Sequence, residues 1–143
     1  MRVLLLVSLI SLLCLGSASI QTDNPEIERA LQYLEINAPQ TYLFVLQNVR
    51  EIIIVPTITQ NSGEAYYDNA GVIGIHSYLL EHPEQYFPIG QENHYIACLI
   101  THEARHEWQY NHWSDVLQYG TNPIVHDIME KDAVDFTNAN CPT

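Results

Sequence analysis

Apolar residues recur along this chain at two different periods, and the change from one to the other predicts the order of its elements. Asn24-Pro25 supplies a cap and a first-turn proline, and Ile27, Ala30, Leu31 and Leu34 follow at helical spacing, so a helix is expected to end near Asn37. Pro39 can open a second helix through Leu43, Leu46 and Val49. The β-branched run Ile52-Ile53-Ile54-Val55 stops at Pro56 and reads as a buried strand. Gln60-Asn61-Ser62-Gly63 and Asn69-Ala70-Gly71 are turn chemistry, and they bracket a second strand at Ala65-Tyr66-Tyr67 and precede a third from Val72 to His76. From Glu92 to about Asn111 there is neither glycine nor proline, and Ile96, Leu99, Ile100 and Glu103 mark a long helix with an inward apolar face. After a loop through Gly120, Asn122-Pro123 starts a last helix with Ile124, Val125, Ile128, Met129, Ala133 and Phe136 along one broad side. The expectation is an α+β fold: N-terminal helices, a small sheet, a long helix and a C-terminal helix.

The N-terminus departs from this pattern. A single charge at Arg2 is followed by the almost purely apolar run from Val3 to Leu15 and then by Gly16, Ser17, Ala18 and Ser19. That run is shorter than the roughly 20 residues needed to span a bilayer, and the small residues after it suit cleavage after Ala18 or Ser19. Residues 1–19 therefore read as a secretory signal peptide, which places the mature protein outside the cell or in a periplasm. The competing reading is an uncleaved anchor, disfavoured by the short span and the absence of a basic cluster. A lipidated Cys14 fits poorly, because bulky Leu13 precedes it. Residues 20–143 suffice for one core and not for two ordinary domains, and no repeat, heptad or linker divides them.

Loss of Arg2 with the signal leaves Arg29, Arg50, Arg105 and Lys131 against 17 acidic residues. Such a surface should repel nucleic acid and anionic membranes and favour cationic over anionic substrates. Cys14 leaves with the signal, so Cys98 and Cys141 remain, and an oxidising compartment suggests a disulfide between them. A buried free Cys98 with an unpaired Cys141 is the alternative.

The chemistry is concentrated in His102-Glu103-Ala104-Arg105-His106, an H-E-x-x-H sequence within the long helix. Histidines four apart are separated by roughly 40° around the axis and about 6 Å along it, so both imidazoles can converge on one ion. Glu103 points about 100° away from the first histidine, off the ligand line, where it can hold water that the metal acidifies. The preceding apolar run, Ile96 to Thr101, sets the motif on an inward face, where two histidines and a glutamate would otherwise each need a separate hydrogen-bond partner.

On these residues the chain resembles the zincin metallopeptidases from about Val72 to Phe136, and within them the gluzincins, whose third ligand is a glutamate on a later helix. The resemblance implies a minimal zincin-like domain with bound Zn2+ and a peptide or protein substrate. It further implies an edge strand along the bound peptide, for which Val72-Ile73-Gly74-Ile75-His76 is the candidate. Glu130-Lys131-Asp132-Ala133 is similar to the glutamate-plus-alanine pattern of small gluzincin-like domains, which makes Glu130 the third ligand. The stretch His106-Glu107-Trp108-Gln109-Tyr110 also resembles small bacterial H-E-x-x-H proteins with a Trp-Gln pair. Ala133, one turn beyond Glu130, is small enough for two helices to approach closely.

A rival ligand is His112, which has the spacing of the metzincin pattern H-E-x-x-H-x-x-G-x-x-H, with Met129 as a mimic of that family's methionine turn. Gln109, however, stands where that pattern has glycine, so the helix continues and carries His112 about 9 Å beyond His106 and away from the metal. His126 and Asp127 are lesser ligand candidates. Four residues after Glu130 stands Val134, where thermolysin-like enzymes carry an aspartate that orients a histidine ligand, so that role falls to Asp127 or Asp132. His126 or Tyr119 could stabilise an oxyanion. His76 either faces the cleft or lies on the surface. The expected activity is peptide-bond hydrolysis with Glu103 as general base, and the alternative is a secreted binding module that keeps zinc for stability without turnover.

Overall fold

The computed structural model describes residues 19–56, 65–67, 70–114 and 121–142, and the expected signal segment lies outside them apart from its last residue, Ser19. The fold is α+β. Helices α1 (Pro25–Asn37) and α2 (Pro39–Asn48) lead into strand β1 (Glu51–Val55). Strands β2 (Ala65–Tyr67) and β3 (Val72–His76) follow, then a short helix α3 (Ser77–Glu81) and a 3-10 turn at Pro83–Gln85. The long helix α4 (Glu92–His112) and helix α5 (Pro123–Asn140) complete it. The sequence reading had left the stretch between His76 and Glu92 unassigned, and α3 and the 3-10 turn fall there.

Helix starts follow their capping residues. Asn24 Oδ1 accepts from the amides of Glu26 at 2.9 Å and Ile27 at 3.1 Å, and Asn122 Oδ1 accepts from Ile124 at 3.0 Å. Each cap satisfies amides that an α-helix leaves without partners, and a proline follows it in the first turn.

The sheet has the order β1-β3-β2, with β1 parallel and β2 antiparallel to β3. Gly71 enters β3 with φ of 77°, and a Cβ there would sit 3.3 Å from the Asn48 carbonyl oxygen. This close approach lets the Gly71 carbonyl accept from Arg50 at 2.7 Å and Glu51 at 3.1 Å, which joins the start of β3 to that of β1.

Strand placement corrects one expectation. Val72–His76 is not the edge strand: it is paired on both sides and buried at every position, while β2 is an edge among the described residues. The physical reason is that strand order follows from which strands arrive to pair on each side, here β1 and β2, and not from the residue types of the run itself. Conversely, the aliphatic run of β1 is fully buried only at Ile52, with Ile53 exposed.

The main core joins α1, α2, the sheet and α4 through Ile27, Leu34, Val45, Ile73, Ile75 and Ile100. Helix α5 packs on another side of α4 along a narrower seam. Only Met129 and Ala133 of its apolar residues are fully buried there, whereas Ile124 is 68% and Ile128 56% exposed, so the broad apolar side expected from the sequence is covered only in part. A helix laid along one neighbour buries a stripe about one residue wide per turn, here the i, i+4 pair 129 and 133. At the far end, Phe44 packs against Phe136 with ring centroids 4.7 Å apart, and Thr41 donates to the Asn140 carbonyl at 2.7 Å. Cys98 and Cys141 form a disulfide across a separation of 43 residues. A loop of that size restricts the unfolded chain by about 4 kcal/mol in the chain-entropy account. No helix among the described residues is long and apolar enough to cross a membrane.

Candidate metal centre

His102 and His106 stand one turn apart on α4, and α5 brings Glu130 against them. The two Nε2 atoms are 3.1 Å apart, Glu130 Oε2 is 3.5 Å from His102 Nε2, and Glu130 Oε1 is 3.3 Å from His106 Nε2. Donors bound tetrahedrally at about 2.0–2.2 Å stand roughly 3.3 Å from one another. The two nitrogens therefore stand at about the spacing of one metal's ligands, each facing a different oxygen of Glu130, and this residue group could hold a metal ion. The imidazole rings meet edge to face, at 4.7 Å between centroids, which turns both Nε2 atoms toward a common point.

Burial prepares these groups for that chemistry. Desolvation lowers the pKa of His102, as does the neighbouring His106, against a raising effect from Glu130, so the neutral ligand form is favoured. Glu103, one residue on from His102, is buried, and its carboxyl is pushed up to about 8, first by desolvation and then by the negative charge of Glu130. A carboxyl in that position holds a proton readily, and a cation nearby would favour its release.

A second layer supports the ligands. His106 Nδ1 lies 2.9 Å from Gln109 Oε1, and Gln109 Nε2 donates to the Met129 carbonyl at 2.9 Å and to Asp132 Oδ2 at 2.8 Å. Arg105 Nε donates to Asp132 Oδ2 at 2.7 Å, while its guanidinium lies 3.9 Å from the centre of the Trp108 ring and 4.8 Å from that of Phe136. The Arg105 hydrogen bond, with help from Gln109, holds Asp132 below the usual carboxylate range. The sequence reading had named Asp132 as a possible orienting carboxylate, and it acts one step removed, through the amide of Gln109. The sequence marks Gln109 as the residue at a glycine position and as half of a Trp-Gln pair, with no role attached to its amide. Its position three after a histidine on an inward helix face was the available signal.

The other candidates are placed as follows. His112 is exposed and outside the cluster: its ring stacks on Trp108 at 4.5 Å, and its Nδ1 bonds to the Trp108 carbonyl at 2.7 Å. His126 stands at the rim, half-exposed, with Nε2 3.9 Å from Glu130 Oε1 and Nδ1 3.4 Å from the largely exposed Asp127. Tyr119 lies outside the described residues. His76 does not lie on the surface; it is 6% exposed and stacks on Tyr78 at 5.9 Å. A second group, His94 with Cys98 and Cys141, also has metal-ligand spacing, but its two sulfurs are joined to each other in the disulfide. Compared with protein-family models, with curated proteins and with solved structures, the chain matches none of them.

Proposed function

We propose that the mature chain is a secreted zinc-dependent peptidase in which His102, His106 and Glu130 hold Zn2+ and Glu103 is the general base. The observation that carries this reading is the convergence of two imidazoles and one carboxylate at 3.1 to 3.5 Å, with a second, buried carboxyl next to the first ligand in sequence. Three protein donors leave one position open, as catalytic zinc sites do, whereas purely structural sites are more often closed by four. Zinc held there supplies Lewis acidity toward a scissile carbonyl and lowers the pKa of water toward about 7.

The protein's own groups do the rest. Glu103 takes a proton from the attacking water and passes it to the amide nitrogen, so that the C–N bond breaks with a neutral amine leaving. Its buried setting keeps bulk water from competing for that proton. His126, at the rim beside Glu130, is the candidate donor to the developing oxyanion. Edge strand β2 packs beside α4 and offers a rail on which an extended peptide could add as a further strand. The excess of 17 acidic residues over Arg29, Arg50, Arg105 and Lys131 favours cationic peptides.

The test is metal analysis of the purified mature chain and of Glu103→Gln, each followed by digestion of a broad peptide library. The expected result is one zinc per chain in both proteins, with hydrolysis reduced by about two or more orders of magnitude in Glu103→Gln. A chain that purifies and reconstitutes without zinc, or equal hydrolysis by both proteins, would reject the reading.

A further inference from the structure

Helix α4 buries a glutamine where packing alone would call for an aliphatic side chain. Gln109 is 0% exposed, so an amide oxygen and two amide hydrogens must find partners inside the protein. Its partners also settle which way the amide points. On one side stand the Met129 carbonyl and Asp132 Oδ2, both acceptors, at 2.9 and 2.8 Å, and on the other stands His106 Nδ1 at 2.9 Å. A flipped amide would set its oxygen against two acceptors at once, so Nε2 must face them and Oε1 must face the histidine.

Two consequences follow. An acceptor at Nδ1 requires that His106 carry its proton there, which leaves the Nε2 lone pair directed at the point shared with His102 and Glu130. The Met129 carbonyl, in turn, belongs to the peptide group that joins Met129 to Glu130. One amide thus sets the tautomer of one ligand and grips the main chain beside another, across two helices that contribute different ligands. Asp132, held by Arg105, anchors the same amide from behind.

We infer that Gln109 is the positioning residue of this centre: it holds His106 as the Nδ1–H tautomer and holds α5 in place for Glu130, and so sets metal affinity without touching the metal. The inference rests on the metal reading above. It assigns to a neutral amide the work that a carboxylate performs where position 134 is an aspartate.

Two variants separate the two tasks. Gln109→Met keeps the length of the side chain and loses both the acceptor and the donors; Gln109→Glu keeps the acceptor for Nδ1 and loses the donors to Met129 and Asp132. In the metal-free mature protein, imidazole nitrogen-15 NMR above the imidazole titration range should show His106 as the Nδ1–H tautomer in wild type and Gln109→Glu. Gln109→Met should shift toward the Nε2–H form. Zinc affinity, measured by competition with a chromophoric chelator, should fall roughly 10- to 100-fold in both variants. Wild-type His106 found as the Nε2–H tautomer would overturn the inference, and this measurement needs no variant to fold. So would Gln109→Met that melts earlier but keeps the wild-type tautomer and zinc affinity, since a role in packing alone predicts that pattern. Absence of zinc binding by wild type is a different result, and it would overturn the metal reading itself.

Discussion

Between Ile96 and Ile100 the inner face of α4 is buried by aliphatic side chains, whereas from Glu103 to Gln109 the same helix buries two acids, a histidine and an amide. The first half meets α1, α2 and the sheet in the main core, where each aliphatic side chain contributes about 1.5–3 kcal/mol by leaving water and needs only a complementary shape. The second half meets α5, where burial is favourable only if each polar group has a partner, and an orphan costs about 1–3 kcal/mol. His106 and Gln109 have theirs in the Gln109 network. In Glu107 one carboxylate oxygen accepts from Asn111 at 3.0 Å, while buried Oε2 has no hydrogen-bond partner among the described residues. The comparison separates a half of the helix that builds stability from a half that accepts a cost in stability to hold chemistry.

The two halves should respond differently to substitution. The largest effect is expected at Glu130→Ala, which removes one of three ligands: zinc affinity should fall by about three orders of magnitude, equivalent to about 4 kcal/mol, with little change in the unfolding midpoint of the metal-free protein. Chelator competition and thermal melts, run side by side, check both parts. Ile100→Ala should reverse this pattern. Deleting a side chain from the packed half should cost about 3 kcal/mol of stability in denaturant titration, and the folded fraction should bind zinc as wild type does. If that variant lost zinc affinity as well, the two halves would not be separable.

A smaller effect should appear in pH dependence. With the Glu103 carboxyl pushed up to about 8 in the folded state from its ordinary value of 4.5, the folded protein keeps a proton that the unfolded chain has released between those pH values. Stability of the metal-free protein should therefore fall with rising pH across that window, by at most about 1.4 kcal/mol per unit, and level off outside it. The lowered pKa of His102 acts in the opposite sense, adding stability as pH rises toward 6.5. The contribution of Glu103 is thus the difference between wild type and Glu103→Gln, whose profile should lack the downward slope. Identical slopes in the two proteins would show that Glu103 ionises normally. The smallest effect belongs to His112→Ala. Its ring lies outside the cluster, so zinc affinity should change by less than about 0.5 kcal/mol, the range of a surface substitution. Loss of zinc in this variant together with retention in Glu130→Ala would exchange the two assignments.

Legibility followed the distance over which each feature is decided. Both capped helix starts, at Asn24-Pro25 and Asn122-Pro123, were readable because the cap, the proline and the amides they serve lie within a few residues. The pairing of His102 with His106 was readable because one helical turn fixes it. The strand at Val72–His76 was legible as a strand, yet its place in the middle of the sheet was not. Strand order depends on which partners arrive from elsewhere, and β-branched residues suit central and edge positions alike. The exposure of Ile124 and Ile128 was hidden for the same reason, since periodicity gives a helix an apolar side without saying how much of it a neighbour will cover.

The sequence by itself determined the α+β element order, the presence of Cys98 and Cys141 in the folded part of the chain, and an H-E-x-x-H face with Glu103 beside His102. Each of these is set by local geometry or by counting. Only the tertiary structure decided that Glu130, and not His112, joins the two histidines, and that Gln109 connects His106 to the main chain beside Glu130. Those choices depend on how α5 lies across α4, and that placement is the joint result of the Met129–Ala133 seam, the Arg105–Asp132 pair and the Cys98–Cys141 link. Such contacts join residues up to 43 positions apart, and no periodicity along the chain encodes them.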